Sequence, residues 1–88
     1  MNKQSGDEIG NTILLSAVEG GDMDIVRFLE KNGASKSATN KIGQNALHVA
    51  AINNKLAAVN YYVNEIKLDI NSKDRDGNTP LILAIMNR

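Results

Sequence analysis

Apolar residues fall along this chain in short bursts spaced by three and four. Leu14, Ala17 and Val18 make one burst, and Met23, Val26 and Leu29 the next, flanked by Ile25 and Phe28. Leu47, Ala50 and Ala51 make a third. Leu56, Val59, Tyr62 and Val63 make a fourth, with Ile66 beyond. That spacing puts each set on one side of an α-helix. It predicts helices over 13–19, 23–31 and 46–52, and a fourth helix whose buried stripe is Leu56, Val59, Tyr62 and Val63. Gly20-Gly21, Asn32-Gly33 and Asn53-Asn54 break the pattern between bursts. Glycine and asparagine end helices there because they accept left-handed backbone.

The bursts recur in register. Gly10, Gly43 and Gly77 are 33 and then 34 residues apart, and so are Leu14, Leu47 and Leu81, and Ala17, Ala50 and Ala84. An Asx residue stands three before each glycine: Asp7, Asn40 and Asp74. Such side chains fold back on local N–H groups and start turns. Thr12, Asn45 and Thr79 follow as helix N-caps, and Pro80 suits a first helical position. Asp22 is a further N-cap candidate before Met23. The small alanines let neighbouring helices come close. The middle copy is one residue longer, with Lys67 where Gly33 would align. A longer or distorted helix end is expected there, with strain at Asn64 or Lys67. A period of this length means stacked units, each burying its apolar side only against its neighbours.

Gly77-Asn78-Thr79-Pro80-Leu81 with Ala84, and Leu47-His48-Val49-Ala50-Ala51, closely resemble the ankyrin repeat. Ile25-Val26, Phe28-Leu29 and Gly33-Ala34 are similar to that family's second helix, and Asp69-Ile70-Asn71 to its exit strand. The resemblance implies an all-α solenoid of stacked helix-turn-helix units joined by β-hairpin-like loops. It divides the chain into an N-capping repeat at 7–39, a middle repeat at 40–73 and a partial third repeat at 74–88. The first copy departs from the pattern at Ile13, Ser16, Glu30 and Lys36. Polar residues there suit an outer, capping unit. The third copy has no second helix, so Leu81, Leu83 and Ile85 are expected to meet water. Either the chain is a fragment of a longer protein, or its open end pairs with another chain.

Composition narrows the chemistry. Ten basic and ten acidic residues cancel. No strong field draws nucleic acid or anionic membrane, and neither is expected as a partner. The sequence has no cysteine, hence no disulfide framework and no thiolate chemistry. With a polar N-terminus and no long apolar run, this fits a reducing compartment, and the cytoplasm is the expectation. His48 is the single histidine and lacks a ligand cluster, so no metal is expected. The resemblance gives it a structural role, bonded to neighbouring backbone. Ser5 and Ser16 have no base partner. Asp74-Arg75-Asp76-Gly77-Asn78 fails as a calcium loop, because Thr79 and Ile85 fall where glycine and glutamate are required. Tyr62 belongs to a buried stripe, whereas Tyr61 faces solvent or a partner. No enzyme activity and no cofactor are expected.

The family resemblance implies a protein or peptide partner, met by hairpin tips and the inward side of the first helices. The tip positions are Glu8, Ile9 and Asn11, then Lys41, Ile42 and Gln44, then Arg75, Asp76 and Asn78. The helix positions are Glu19, then Ile52 and Asn53, then Met86 and Asn87. Ile9 and Ile42 either anchor a partner or pack on neighbouring tips. Two readings follow: a protein-interaction module, or the ankyrin part of a larger enzyme, channel or effector whose active domain lies elsewhere.

Overall fold

Four of the described helices start where side-chain oxygens take orphan N–H groups, while the one that begins at Leu56 has no side-chain cap. Leu15 N donates to Thr12 Oγ1 at 3.2 Å, His48 N to Asn45 Oδ1 at 3.1 Å, and Ile82 N to Thr79 Oγ1 at 3.3 Å. Asp22 caps the second helix by accepting from Asp24 N and Ile25 N. The computed structural model describes residues 12–86. It contains α1 (Ile13–Gly20), α2 (Met23–Lys31), α3 (Ala46–Ile52), α4 (Leu56–Asn60) and α5 (Pro80–Met86). No strand occurs among the described residues. The stretch from Asp69 to Asn71, expected as an exit strand, is instead an Asx turn. Asn71 N donates to Asp69 Oδ1 at 2.8 Å and Ser72 N to Asp69 O at 3.1 Å.

α4 runs straight into a π-helical turn, Tyr61–Glu65, closed by Ile66 N donating to Tyr61 O at 3.1 Å. This is where the extra residue of the middle copy goes. In the first copy Ala34 N closes the helix end onto Leu29 O; in the second Leu68 N closes onto Tyr62 O, one residue further along. Widening one turn keeps both ends of the copy in register with its neighbours. Lys67 pays with a φ of 64°, the left-handed region that Gly33 occupies at 104°. Asn64 is not strained; Asn54, at the break between α3 and α4, has the second positive non-glycine φ, 57°.

The first helices stack in a row. α3 is the centre, packed against α1 on one side, α5 on the other, and its own α4 behind. Leu14, Leu15, Val18, Val26, Leu47, Val49, Ala50, Ala58 and Tyr62 form one buried cluster. Leu14 and Leu47 hold equivalent seats in it, at 3% and 2% exposure. Their third counterpart, Leu81, is 68% exposed on the open end. Ile85 is exposed there too, whereas Leu83 turns inward and is buried against the expectation. Leu56, expected in the stripe, is 67% exposed, because no described element covers that side of α4.

Between the first two copies lies a polar clasp within the apolar contact. Glu30 is buried, and both the Tyr61 and Tyr62 hydroxyls donate to its carboxylate. The acid that looked like part of a polar outer surface therefore faces inward. The two rings meet edge to face at 4.9 Å, and the Arg27 guanidinium lies 5.2 Å from the Tyr61 ring centre. Tyr61 thus faces the first copy. Arg27 also reaches Glu65 at 3.8 Å, but both side chains are over half exposed. Such a pair contributes about 0–1 kcal/mol, while each fully buried Leu or Val contributes roughly 1.5–3 kcal/mol. Burial and the clasp hold the copies together, not the ion pair.

The clasp predicts alkaline sensitivity. Burial, then the Glu30 hydrogen bond and charge, push the Tyr61 phenol from 10.0 up to about 12, with Arg27 pulling the other way. The same causes push Tyr62 up further. Above the ordinary phenol value the unfolded chain loses protons that the native state keeps. Stability is therefore fully present below pH 10 and falls as pH climbs through 12. Tyrosinate absorbance is expected to lag the free-phenol titration and to rise together with loss of helical circular dichroism. Both tyrosines ionising near their ordinary value in a still-folded chain would contradict the clasp.

Candidate functional site

Two tips project beside the first helices, and they share one construction. Asn40 Oδ1 accepts from Ile42 N at 3.1 Å and Gln44 N at 3.0 Å. Asp74 Oδ1 accepts from Asp76 N and Asn78 N, both at 2.9 Å. In each tip the Asx N–H donates to the carbonyl four residues on, at 3.0 Å, and the glycine N–H returns to the Asx carbonyl. These are narrow turns whose backbone groups bond within the turn itself. The Asp74 carboxylate is spent on the turn, which accounts for its resemblance to a calcium loop.

The tips are tied to each other and to the row of helices. Arg75 N donates to Ile42 O at 3.0 Å. His48 is fully buried at the third position of α3. Asn45 N donates to its Nδ1 at 3.1 Å, completing a capping box. That assigns the ring proton to Nε2, which donates to Asn78 O at 3.0 Å in the next copy. One imidazole so closes its own helix start and holds the following tip. The structural role expected for His48 is the one observed.

The expected contact positions fall into three groups. Lys41, Arg75 and Asp76 are exposed at the tips, with Ile42 and Asn78 half-buried. Gln44 is not at the surface: it is buried, and its Oε1 accepts from Asn40 Nδ2 at 3.0 Å. It braces the turn from within, which corrects the sequence expectation. On the helices Glu19 and Met86 are exposed and Ile52 and Asn53 half-buried. Glu19, Ile52 and Met86 are repeat equivalents on the stacked first helices, so they form one row beside the tips. Asn53 Nδ2 donates to Val49 O at 2.8 Å and finishes α3. Glu8, Ile9, Asn11 and Asn87 lie outside the described residues.

Sequence reasoning missed two features. The Glu30 clasp spans 31 and 32 residues, just short of one repeat, so an acid one period before a tyrosine pair was the available signal. The second is a groove of about 340 Å³ at the open end, lined by Leu47, Leu56, Val59, Val63, Leu81 and Ala84 among others. Among the described residues no cluster of three or more His, Cys, Asp or Glu could hold a metal ion. No described helix is long and apolar enough to cross a membrane.

The family model for ankyrin repeats, in three copies, matches residues 14–88. The chain belongs to the ankyrin-repeat family. It is 37% identical over 89 aligned positions to the protein lin-12 of Caenorhabditis elegans, covering 99% of this chain and 6% of that protein. It is 36% identical over 63 residues to the putative ankyrin repeat protein FPV230 of fowlpox virus, covering 72% of this chain and 33% of that one. It is 34% identical over 80 residues to the human transient receptor potential cation channel subfamily A member 1, covering 89% of this chain and 7% of the channel. The chain thus spans a third or less of the length of these relatives.

The tips make a paired prediction. Gly43 and Gly77 have φ values of 79° and 81°, so alanine is strained at both, by about 1–2 kcal/mol. A Cβ at Gly43 would also stand 3.0 Å from Arg75 N, on backbone that cannot move alone, whereas Gly77 has nothing within 4 Å. Gly43→Ala is expected to destabilise clearly more than Gly77→Ala in urea unfolding. Equal losses would show that the tips do not seat on one another.

Proposed function

We propose that this chain is a non-catalytic interaction module. It docks a protein or peptide through its tips, at Lys41, Ile42, Arg75, Asp76 and Asn78, and through the neighbouring row of Glu19, Ile52, Asn53 and Met86. Ankyrin repeats generally serve as protein-interaction modules. The observation that carries the reading here is the preformed tip ladder. Asx-anchored turns, tied by Arg75 N to Ile42 O and by His48 to Asn78 O, present exposed charge beside half-buried isoleucines without further ordering. Surfaces ordered in advance bind at lower entropic cost. Apolar anchors within a polar surround are the usual energetic centres of an interface. By repeat position in the sequence, Glu8, Ile9, Asn11 and Asn87 belong to the same set in this reading. Cytoplasmic location suits a chain without cysteine.

A second reading is compatible with the first. The relatives are far longer than the matched stretch. The chain then serves as the ankyrin part of a larger enzyme, channel or effector whose activity resides elsewhere.

The test places a photo-cross-linking residue at Arg75 or Asn53, and a control at Asp24 on the exposed side of α2. Discrete protein adducts are expected from the first two and not from the control. Ile52→Asp is expected to remove the Arg75 adduct while leaving the thermal melt nearly unchanged. Adducts from Asp24 alone would refute the surface. Collapse of the thermal melt in Ile52→Asp would return that residue to the core.

A further inference from the structure

The end of α2 brings together a side chain and a backbone nitrogen that can react with each other. Asn32 is the single asparagine followed by glycine in the sequence. Both residues are exposed, and the space beside the Gly33 Cα is open. With no Cβ on Gly33, nothing shields its nitrogen. A five-membered ring closes when that nitrogen eclipses the Asn32 side chain and attacks Cγ. The fold holds it elsewhere. Asn32 has φ −99° and ψ 19°, so the Gly33 nitrogen nearly eclipses the Asn32 nitrogen instead. Gly33 N donates to Glu30 O at 3.1 Å, and Ala34 N to Leu29 O at 2.9 Å. Asn32 Nδ2 donates to Phe28 O at 2.7 Å. The proton of the nucleophile and the amide that would leave are thus both engaged on the last carbonyls of α2.

We propose that Asn32 is a self-modifying site, guarded by these bonds and released when the end of α2 opens. The Gly33 nitrogen gives its proton to solvent and forms a bond to Asn32 Cγ. The Cγ–Nδ2 bond breaks, and the amide leaves as ammonia, taking a proton from solvent. Water then adds to one of the two imide carbonyls and breaks that carbon's bond to the ring nitrogen. One route gives aspartate. The other gives isoaspartate, whose main chain runs through the former side chain and is one carbon longer. The opening is local, since Lys31, Asn32 and Gly33 are all exposed and only a few hydrogen bonds must part. The product does not close in the same way. The side-chain donor to Phe28 O is gone, and a new carboxylate stands at the carbonyl end of the helix, where negative charge is disfavoured. The longer isoaspartate chain also shifts Gly33 and Ala34 away from Glu30 O and Leu29 O. Glu30 belongs to that turn, and its carboxylate holds the Tyr61 and Tyr62 hydroxyls. Change at one exposed residue thereby loosens the joint between the first two copies. This site uses neither the tips nor the Ile52 row, so it stands or falls independently of the partner surface above.

The test is incubation of the whole chain at mildly alkaline pH, once folded and once in urea. Peptide mapping then separates asparagine, aspartate and isoaspartate at position 32. The folded chain is expected to react at Asn32 before any other asparagine, and about tenfold to a hundredfold more slowly than the unfolded chain. The isoaspartate form, purified and refolded, is expected to unfold at lower urea than the fresh chain. Asn32→Gln, aged in the same way, is expected to keep its own starting midpoint, because a glutamine side chain would have to close a larger ring. Equal rates in the folded and unfolded chains would mean that the helix-end bonds guard nothing, and would overturn the proposal. So would a folded chain that gains acid first at another asparagine, or none at Asn32 over that range of rates. An isoaspartate form with the midpoint of the fresh chain would overturn it as well.

Discussion

No helix pair in this chain can cover its own apolar side. That constraint organises everything else. α1 and α2 bury Leu14, Leu15, Val18 and Val26 only because α3 and the π turn lie against them. α5 buries Leu83 only by lying on α3. Among the described residues the middle copy has neighbours on both sides, and its α3 is buried along almost its whole length, from Ala46 to Ala50. At roughly 25 cal/mol per Å² of apolar area removed from water, such side-by-side contact outweighs what the short helices gain alone. His48 adds direction to that contact, since its two ring nitrogens bind one copy and the next.

The local features were legible in the sequence. Caps, helix spans and Asx turns depend on residues within a few positions of each other, and Thr12, Asp22, Asn45, Thr79 and Pro80 all act as their types require. The distorted end of the middle copy was legible too, because one extra residue against a fixed stacking distance must be absorbed somewhere. Its form was not: a π turn and a simple loop both satisfy the count. Errors arose where burial depends on what stands outside the copy. Leu56 has helical spacing suited to a core, yet its side of α4 is uncovered. Gln44 is a different case: it looks like a surface residue, yet Asn40 of the same turn draws it inward.

The candidate site was legible only as a set of equivalent positions. Period alone says that Glu19, Ile52 and Met86 lie in a row. It does not say that the tips are braced from beneath by a buried imidazole and from within by Asn40 and Asp74. That bracing is what separates these tips from ordinary loops: their backbone groups are already bonded within the turn and to the next copy. The Glu30 clasp was not legible either: two phenols of the second copy meet on one carboxylate of the first.

The central claim is that the copies are one cooperative unit built around α3. Native-state hydrogen exchange tests it most directly. The amides of Val18 in α1 and of Val49 and Ala50 in α3 are expected to exchange with one shared opening free energy, equal to that of global unfolding. Amides of α1 and α2 that stay protected while α3 opens, or the reverse, would mean that the copies stand independently and would contradict the account.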